Sequence, residues 1–361
     1  MHITIVAGTR PNFVKVSPII HAIKDYEKKY QVGLEYTLVH TGQHYDDKMS
    51  GSFFTDLNIP QTDVNLNVGS CSHSEQTAKI MVAFEKHLLE NRTDCVLVVG
   101  DVNSTMACAV VTKKLNLKLV HVEGGLRSLD RSMPEEINRL LTDSVTDYFF
   151  TTSQEADENL LKEGIEKERI FLVGNVMIDS LVKSLEKTRF PNVLESEDLE
   201  KYFLLTLHRP SNVDDTVKLN TFLKTIDKAA GEAKVVFPVH PRTESKITNK
   251  GDYQNILFIP PLPYLEFLDM MKKSVGVVTD SGGIQEETTY LKIPCVTLRE
   301  NTERPETIHI GTNELIGENL NLLTTSIEKI SIGEWKKGSI PTFWDGKASD
   351  RIVSKLVKLL S

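Results

Sequence analysis

The chain is short of every feature that would mark a secreted, membrane-spanning, metal-binding or nucleic-acid-binding protein. No apolar tract approaches the roughly 20 residues that a membrane span needs. Residue 3 already opens an apolar run, Ile3-Thr4-Ile5-Val6, with no basic leader before it and no cleavage site after it. No signal peptide is therefore expected, and the cytoplasm is the expected compartment. Only four cysteines occur, Cys71, Cys95, Cys108 and Cys295, widely spaced and without a paired motif. Two lie in apolar runs and read as buried thiols, not as disulfides or zinc ligands. None of the ten histidines has His-Glu-x-x-His spacing, so no metal site is expected. Basic charge is outweighed, with 42 Lys and Arg against 50 Asp and Glu and a net charge of −8. That balance argues against a nucleic acid or an anionic membrane as partner, since either needs a clustered basic face. It leaves a phosphate ligand open, because one pocket can be positive on an acidic protein. The first strand-like run ends in Gly8-Thr9-Arg10-Pro11-Asn12, which lacks the G-x-G-x-x-G dinucleotide pattern, and no nicotinamide is called for.

What is present is the composition of a soluble globular protein, 40% hydrophobic and 25% charged. At roughly 100–200 residues per domain, 361 residues suggest two domains. Strand-like runs at 2–7, 34–40, 95–99, 118–122, 147–151 and 169–173 alternate with helical patterns near 12–29, 45–56, 74–91, 104–115, 135–145 and 154–164. A second series places strands near 202–207, 234–239, 256–259, 275–279 and 294–298. Alternation with strands that are apolar throughout predicts α/β architecture: two doubly wound domains, each with a parallel sheet covered on both faces. Lys187 to Lys201, charged and without apolar periodicity, reads as a surface connection. Ser349 to Leu360 carries Ile352, Val353, Leu356, Leu359 and Leu360 at helical spacing and reads as an amphipathic helix packed on another element.

Ligands of doubly wound domains sit beyond the C-terminal ends of the strands, and two such domains are expected to share a cleft there. One strand end stands out. Val275, Val277 and Val278 lead into Thr279-Asp280-Ser281-Gly282-Gly283, and a helical pattern opens at Ile284. Backbone N–H groups and a helix's positive end meet at that turn, which suits a phosphate; an ordinary helix capped by Asp280 or Ser281 has the same sequence. Glu287, one turn on, could accept from a ribose diol. Arg10 and Lys15 flank the start of the first helix, where cations oppose the dipole and a shared anion would explain them. Asp101, Glu123 and Glu135 all fall at or beyond strand ends of the first series. Asp101 alone reads as an N-cap and Glu135 alone as a first-turn acid. Gathered together, three carboxylates would raise one another's pKa and prepare a general acid or base. In the second series, His208-Arg209 and His240-Pro241-Arg242 each follow a strand. His208 could bind phosphate or move a proton, while His240 reads equally as structural. Phe267 could stack near a base or pack in the core, and Arg304 offers a further cation at a helix start.

In order along the chain, GTRP with Lys15, GDVNST, HVEGGLRS, MPEEINR, GNVMID, LHRPSN, PVHPR, DSGGIQEE, TERPE and DGKASDRI span residues 8 to 352. This set resembles the non-hydrolysing UDP-N-acetylglucosamine 2-epimerases. The resemblance implies the GT-B arrangement of two Rossmann-like domains facing a central cleft. A domain over 1–172 would carry the sugar-facing carboxylates and be completed by a returning helix over 346–361, and 173–345 would bind UDP. It implies that Ser281, Gly282 and Gly283 hold phosphate, Glu287 the ribose and Phe267 the uracil. Arg10, His208 and Arg304 would lie near the diphosphate, with His240 also on the substrate. Asp101, Glu123, Glu135 and Arg139 would face the sugar, with Lys15 close by. The family reaction eliminates UDP to a 2-acetamidoglucal and adds it back with protonation on the other face of C2. No cofactor is implied, and relatives are commonly homodimers that serve surface-polysaccharide synthesis.

Three departures separate the chain from that pattern. Gly124 stands where most relatives have Ala, adding backbone freedom beside Glu123. The His-Arg pair continues as Pro210-Ser211-Asn212-Val213-Asp214-Asp215 and not with the acidic residue of the best-known bacterial members. Gln43-His44 are followed by Tyr45-Asp46, and Cys71-Ser72-His73 lacks a basic residue, so activation by a second substrate molecule is not expected. These departures bring the chain nearer to 2-epimerases of other UDP-2-acetamido sugars. A GT-B glycosyltransferase with a UDP-sugar donor would share the uridine residues but would not need carboxylates at C2. A non-catalytic UDP-sugar sensor would be expected to have lost Asp101, Glu123 or His208, and this chain keeps all three.

Overall fold

A computed structural model describes residues 1–43 and 57–361. The helix expected over 45–56, with His44, Tyr45 and Asp46, lies outside the described residues. The chain divides into two compact units, Met1–Lys183 with Thr342–Ser361, and Ser184–Pro341. Among the described residues no helix is long and apolar enough to cross a membrane.

The strands of the first unit are β1 (His2–Ala7), β2 (Glu35–His40), β3 (Val64–Asn65), β4 (Cys95–Val99), β5 (Lys118–Val122), β6 (Tyr148–Thr151) and β7 (Ile170–Leu172). They form a parallel sheet in the order β3-β2-β1-β4-β5-β6-β7. The second unit holds β8 (Tyr202–Thr206), β9 (Lys234–Pro238), β10 (Ile256–Ile259), β11 (Gly276–Thr279), β12 (Cys295–Thr297) and β13 (Asn313–Leu315), in the parallel order β10-β9-β8-β11-β12-β13. Both sheets are doubly wound, as expected. Central strands such as Cys-Val-Leu-Val-Val of β4 are buried at every position, as a sheet covered on both faces requires. Cys95, Cys108 and Cys295 are buried free thiols, and Cys71 is a half-buried one.

Strand order reverses between β1 and β4 in one sheet and between β8 and β11 in the other. Those switch points are where loops diverge and leave room for a ligand. Register puts Ile5 beside Leu97 and Thr279 beside Thr206, so the turns that follow each pair leave the sheet at the same level.

Three expectations need correction. The edge strands β3 and β13 are two and three residues long, too short to show any periodicity; pairings such as Val39 with Val64 and Val296 with Glu314 create them. The 187–201 segment is not wholly superficial. Leu194 is fully buried and packs with Tyr202, Leu204 and Met270. Gly124 does not use its backbone freedom, since its φ is not positive. It provides space: a Cβ there would lie 2.9 Å from Phe149 Cδ1.

The C-terminal helix Ala348–Leu360 buries Ile352, Val353 and Leu356, and it packs on the helix Arg10–Tyr30. Its N-terminus is capped from 170 residues away. Buried Asp179 accepts from Ala348 N at 3.0 Å, Ser349 N at 2.7 Å and Ser349 Oγ at 2.6 Å. Asp179→Ala would strand those donors at a cost of about 3 kcal/mol. Calorimetry should then show the melting temperature lowered by roughly 6–12 °C. An unchanged melting temperature would mean that the apolar face alone holds this helix.

Candidate active site

In the first unit the β1 and β4 turns are joined by Asn12. Its Oδ1 accepts from Gly8 N at 3.2 Å and Thr9 N at 3.0 Å, and its Nδ2 donates to Val99 O at 3.1 Å. One helical turn after exposed Arg10, Lys15 is buried, with Nζ 2.6 Å from Glu123 Oε2. Glu123 itself sits at φ +70°, in the left-handed region that a non-glycine residue seldom occupies. Such a conformation costs about 1–3 kcal/mol and persists where surrounding contacts enforce it, often at functional sites. Here Glu123 N donates to Phe150 O at 2.9 Å while Lys15 fixes the side chain.

Asp101 does not cap its helix; Val102 is the N-cap residue. Its carboxylate instead lies 2.6 Å from Arg139 Nη2, and its carbonyl accepts from Asn138 Nδ2 at 2.9 Å. Buried Arg139 also meets Glu136 Oε2 at 2.8 Å. Glu136 in turn accepts from Ser128 N at 2.9 Å and Leu129 N at 3.0 Å, which shapes the loop before the helix Pro134–Val145. Glu135, on the same first turn, is exposed. The expected cluster of like charges is thus corrected: Asp101 and Glu123 each sit against a cation of their own.

In the second unit the β8 and β11 turns are joined by Asp280. This fully buried carboxylate accepts from His208 N at 3.1 Å, Arg209 N at 2.9 Å and Asn212 Nδ2 at 3.1 Å. It also meets His208 Nδ1 at 2.9 Å. Burial pushes the Asp280 carboxyl up, but His208 and these N–H donors outweigh it and hold it below the ordinary range. With its Nδ1 against Asp280, the rest of the His208 ring is more than half exposed.

The helix Gly282–Leu291 begins after Ser281, whose side chain makes no capping bond, and its first turn carries no acid. The first N–H groups and the positive end of the dipole therefore face this turn, a setting that favours an anion. One carboxylate and two guanidiniums crowd it. A Cβ on Gly282 would lie 3.0 Å from Glu303 Oε1, 3.7 Å from Arg304 Nη1 and 3.8 Å from Arg299 Nη1. Arg304 is buried between Glu286 at 2.5 Å and Glu303 at 2.9 Å. Glu287 is buried and accepts from Tyr264 Oη at 2.8 Å. Burial pushes its carboxyl up to about 7 against the opposing Tyr264 bond, with neighbouring Glu286 adding to the rise. His240, exposed, shows its structural side, since Nδ1 caps the short helix Pro241–Glu244 by accepting from Arg242 N at 3.2 Å. Phe267 is half-buried against a core cluster that includes Met270 and Met271.

A sequence profile of the UDP-N-acetylglucosamine 2-epimerases matches residues 27–357. The UDP-N-acetylglucosamine 2-epimerase of Methanocaldococcus jannaschii is 41% identical over 374 residues, covering 98% of each chain. The chain belongs to the UDP-N-acetylglucosamine 2-epimerase family. Among solved structures, the Methanocaldococcus jannaschii UDP-GlcNAc 2-epimerase in complex with UDP-GlcNAc and UDP superposes with a TM-score of 0.86 at 40% identity, covering 99% of this chain and 100% of that one. The UDP-2,3-diacetamido-2,3-dideoxy-D-glucuronate 2-epimerase of Pseudomonas aeruginosa is 38% identical over 362 residues, covering 99% of this chain and all of the other.

Some polar residues of this 2-epimerase family member are invisible to motif reading. Asp280 reads as a helix cap and proves to be the partner of His208. Glu136 is masked by Glu135 beside it, although its spacing of three from Arg139 is a signal for a helical ion pair. His121 and Arg127 lie within HVEGGLRS, but their meeting with Asp143 comes only through the tertiary fold.

Proposed function

We propose that this protein is a non-hydrolysing 2-epimerase that interconverts UDP-N-acetylglucosamine and UDP-N-acetylmannosamine. The observation that carries the reading is buried Glu123, held in a left-handed backbone conformation with Lys15 at 2.6 Å, in a chain of this family. A base takes the C2 proton as the C1–O bond breaks, the electron pair leaves with UDP, and C1=C2 of a 2-acetamidoglucal forms. A proton then returns to the opposite face of C2 while the UDP oxygen attacks C1. Asp101, Glu123 and Glu135 serve the proton and the charge at C1, with Arg139 and Lys15 orienting two of them. The second unit takes UDP. Ser281, Gly282 and Gly283 hold phosphate at the helix N-terminus, and Arg304, His208 and Arg10 stabilise the leaving diphosphate. Glu287 takes the ribose, Phe267 lies by the uracil and His240 lines the substrate. The active form is a homodimer in this reading.

The test is incubation of purified protein with UDP-N-acetylglucosamine, resolving products by anion-exchange chromatography and NMR. UDP-N-acetylmannosamine should appear without any acceptor. Free N-acetylmannosamine would indicate a hydrolysing enzyme, and no product would refute this substrate. The Pseudomonas aeruginosa relative favours a second reading, with UDP-2,3-diacetamido-2,3-dideoxyglucuronate as substrate, which a higher kcat/KM on that sugar would establish.

The ribose assignment predicts a pH dependence. A diol donates to a carboxylate, whereas Glu287 at about 7 is protonated below neutrality. UDP affinity should therefore be near maximal at pH 8 and fall about tenfold by pH 6, the slope expected for one required deprotonation. Calorimetry on wild type and Glu287→Gln checks this, since the variant should bind more weakly and lose the Glu287 step. Identical pH profiles would remove Glu287 from the ribose site.

A further inference from the structure

Beneath the two carboxylate-bearing turns of the first unit lies a buried polar group that the proposed chemistry does not use. His121, in β5, has no solvent exposure. Its Nδ1 lies 2.6 Å from Asp143 Oδ1 and its Nε2 lies 2.8 Å from Gly100 O. A carbonyl oxygen only accepts, so Nε2 must carry a proton. Asp143 is equally confined to accepting. Its Oδ2 takes Gly125 N at 3.0 Å and Arg127 Nη2 at 2.7 Å. Burial pushes the Asp143 carboxyl up, but His121, Arg127 and the Gly125 N–H together hold it below the ordinary range. An ionised Asp143 cannot donate, so Nδ1 must carry a proton as well.

We infer that His121 is an imidazolium and a positioning residue: clasped by Asp143, it holds the Gly100-Asp101 turn and the Glu123-Gly124-Gly125 turn in one fixed arrangement. One end of the ring grips the carbonyl just before Asp101. The other grips Asp143, which also binds the backbone two residues after Glu123. The second turn needs such a hold, because Glu123 lies at φ +70°, where a non-glycine residue is strained. The remaining charged groups around the ring are accounted for. Arg127 is shared with Glu163 at 2.6 Å. Above Gly100, a Cβ would lie 3.3 Å from Lys15 Nζ and 3.8 Å from Glu123 Oε2. Gly124 keeps this layer compact, since its Cβ would stand 3.4 Å from both His121 Nδ1 and Asp143 Oδ1. The protonation state follows from the hydrogen-bond directions and from an Asp143 ionised beside Arg127; its kinetic consequence rests on the epimerase reading.

Protein labelled with 15N-histidine separates the two. The buried ring should be the one whose N–H protons exchange most slowly with solvent. Both of its nitrogens should show the imidazolium shift at pH 7, and an unprotonated nitrogen there would overturn the proposal whatever the enzyme's substrate. Asp143→Asn then tests positioning. Its amide can donate to Nδ1, leaving a neutral ring that still binds Gly100 O. The variant should show one unprotonated ring nitrogen, a kcat lowered at least tenfold and a KM within threefold of wild type. An unchanged kcat with a neutral ring would overturn the positioning role. If Asp143→Asn does not fold, His121→Gln, which can still donate to Gly100 O, replaces it with the same kinetic criterion. Absence of activity in wild type would count against the epimerase reading alone, with the NMR result still deciding the charge.

Discussion

Glu123→Gln and Asp101→Asn should each lower kcat by about 10²–10⁴, the range for removing a general acid or base, while UDP binds within threefold of wild type. The expectation rests on which unit each residue belongs to. Asp101 stands at the switch-point turn after β4 and Glu123 at the end of the neighbouring β5 in the first sheet, whereas the phosphate, ribose and uracil assignments, Arg10 aside, lie in the second unit. An isosteric amide keeps the volume and removes the charge. In Glu123→Gln, Lys15 loses its counter-ion at 2.6 Å; in Asp101→Asn, buried Arg139 keeps Glu136 at 2.8 Å. Glu123→Gln should therefore be the less stable of the two, and the melting temperature must accompany the kinetics. Calorimetric titration with UDP and a steady-state assay decide the matter. Loss of UDP binding in both variants, or retention of turnover in both, would show that these carboxylates do not act on the sugar.

Asp280→Asn should cost kcat/KM by about 10²–10³ and weaken UDP binding, through an effect on its neighbours. Asp280 holds the backbone of His208 and Arg209 and the Nδ1 of His208. An amide in its place turns two hydrogens toward donors, and each charged hydrogen bond lost costs about 1.5–3 kcal/mol. Because the effect runs through His208, a double-mutant cycle with His208→Gln should be strongly non-additive, the double variant being little worse than either single one. Full additivity would mean that Asp280 and His208 contribute separately and that the contact between them is only structural.

The two sheets were legible because nearly every strand is apolar along its length, from Cys95–Val99 to Gly276–Thr279, and the gaps between them carry helical spacing. The strand ends were legible too, since polar residues there interrupt apolar runs. What the sequence hid has two physical causes. β3 and β13 exist by pairing at a sheet edge, so nothing local marks Val64–Asn65 or Asn313–Leu315. Pairings between distant polar residues were hidden as well. Asp280 lies 72 residues from His208 and Arg139 38 residues from Asp101, and no spacing rule relates either pair. The expected electrostatics erred for that reason. Three acids in neighbouring motifs suggested mutual repulsion, and the fold supplies Lys15 and Arg139 instead. The glycines were ambiguous in the same way: Gly124 reads as a flexible position and is a tightly packed one against Phe149.

The central claim is that C2 loses and regains its proton while UDP leaves and returns. Its most direct measurement is proton NMR of UDP-N-acetylglucosamine incubated with the protein in D2O and no acceptor. The C2 proton signal should be lost by deuteration in both epimers of the UDP-sugar, with no accumulation of free sugar. Formation of the manno epimer with its C2 proton retained would contradict it.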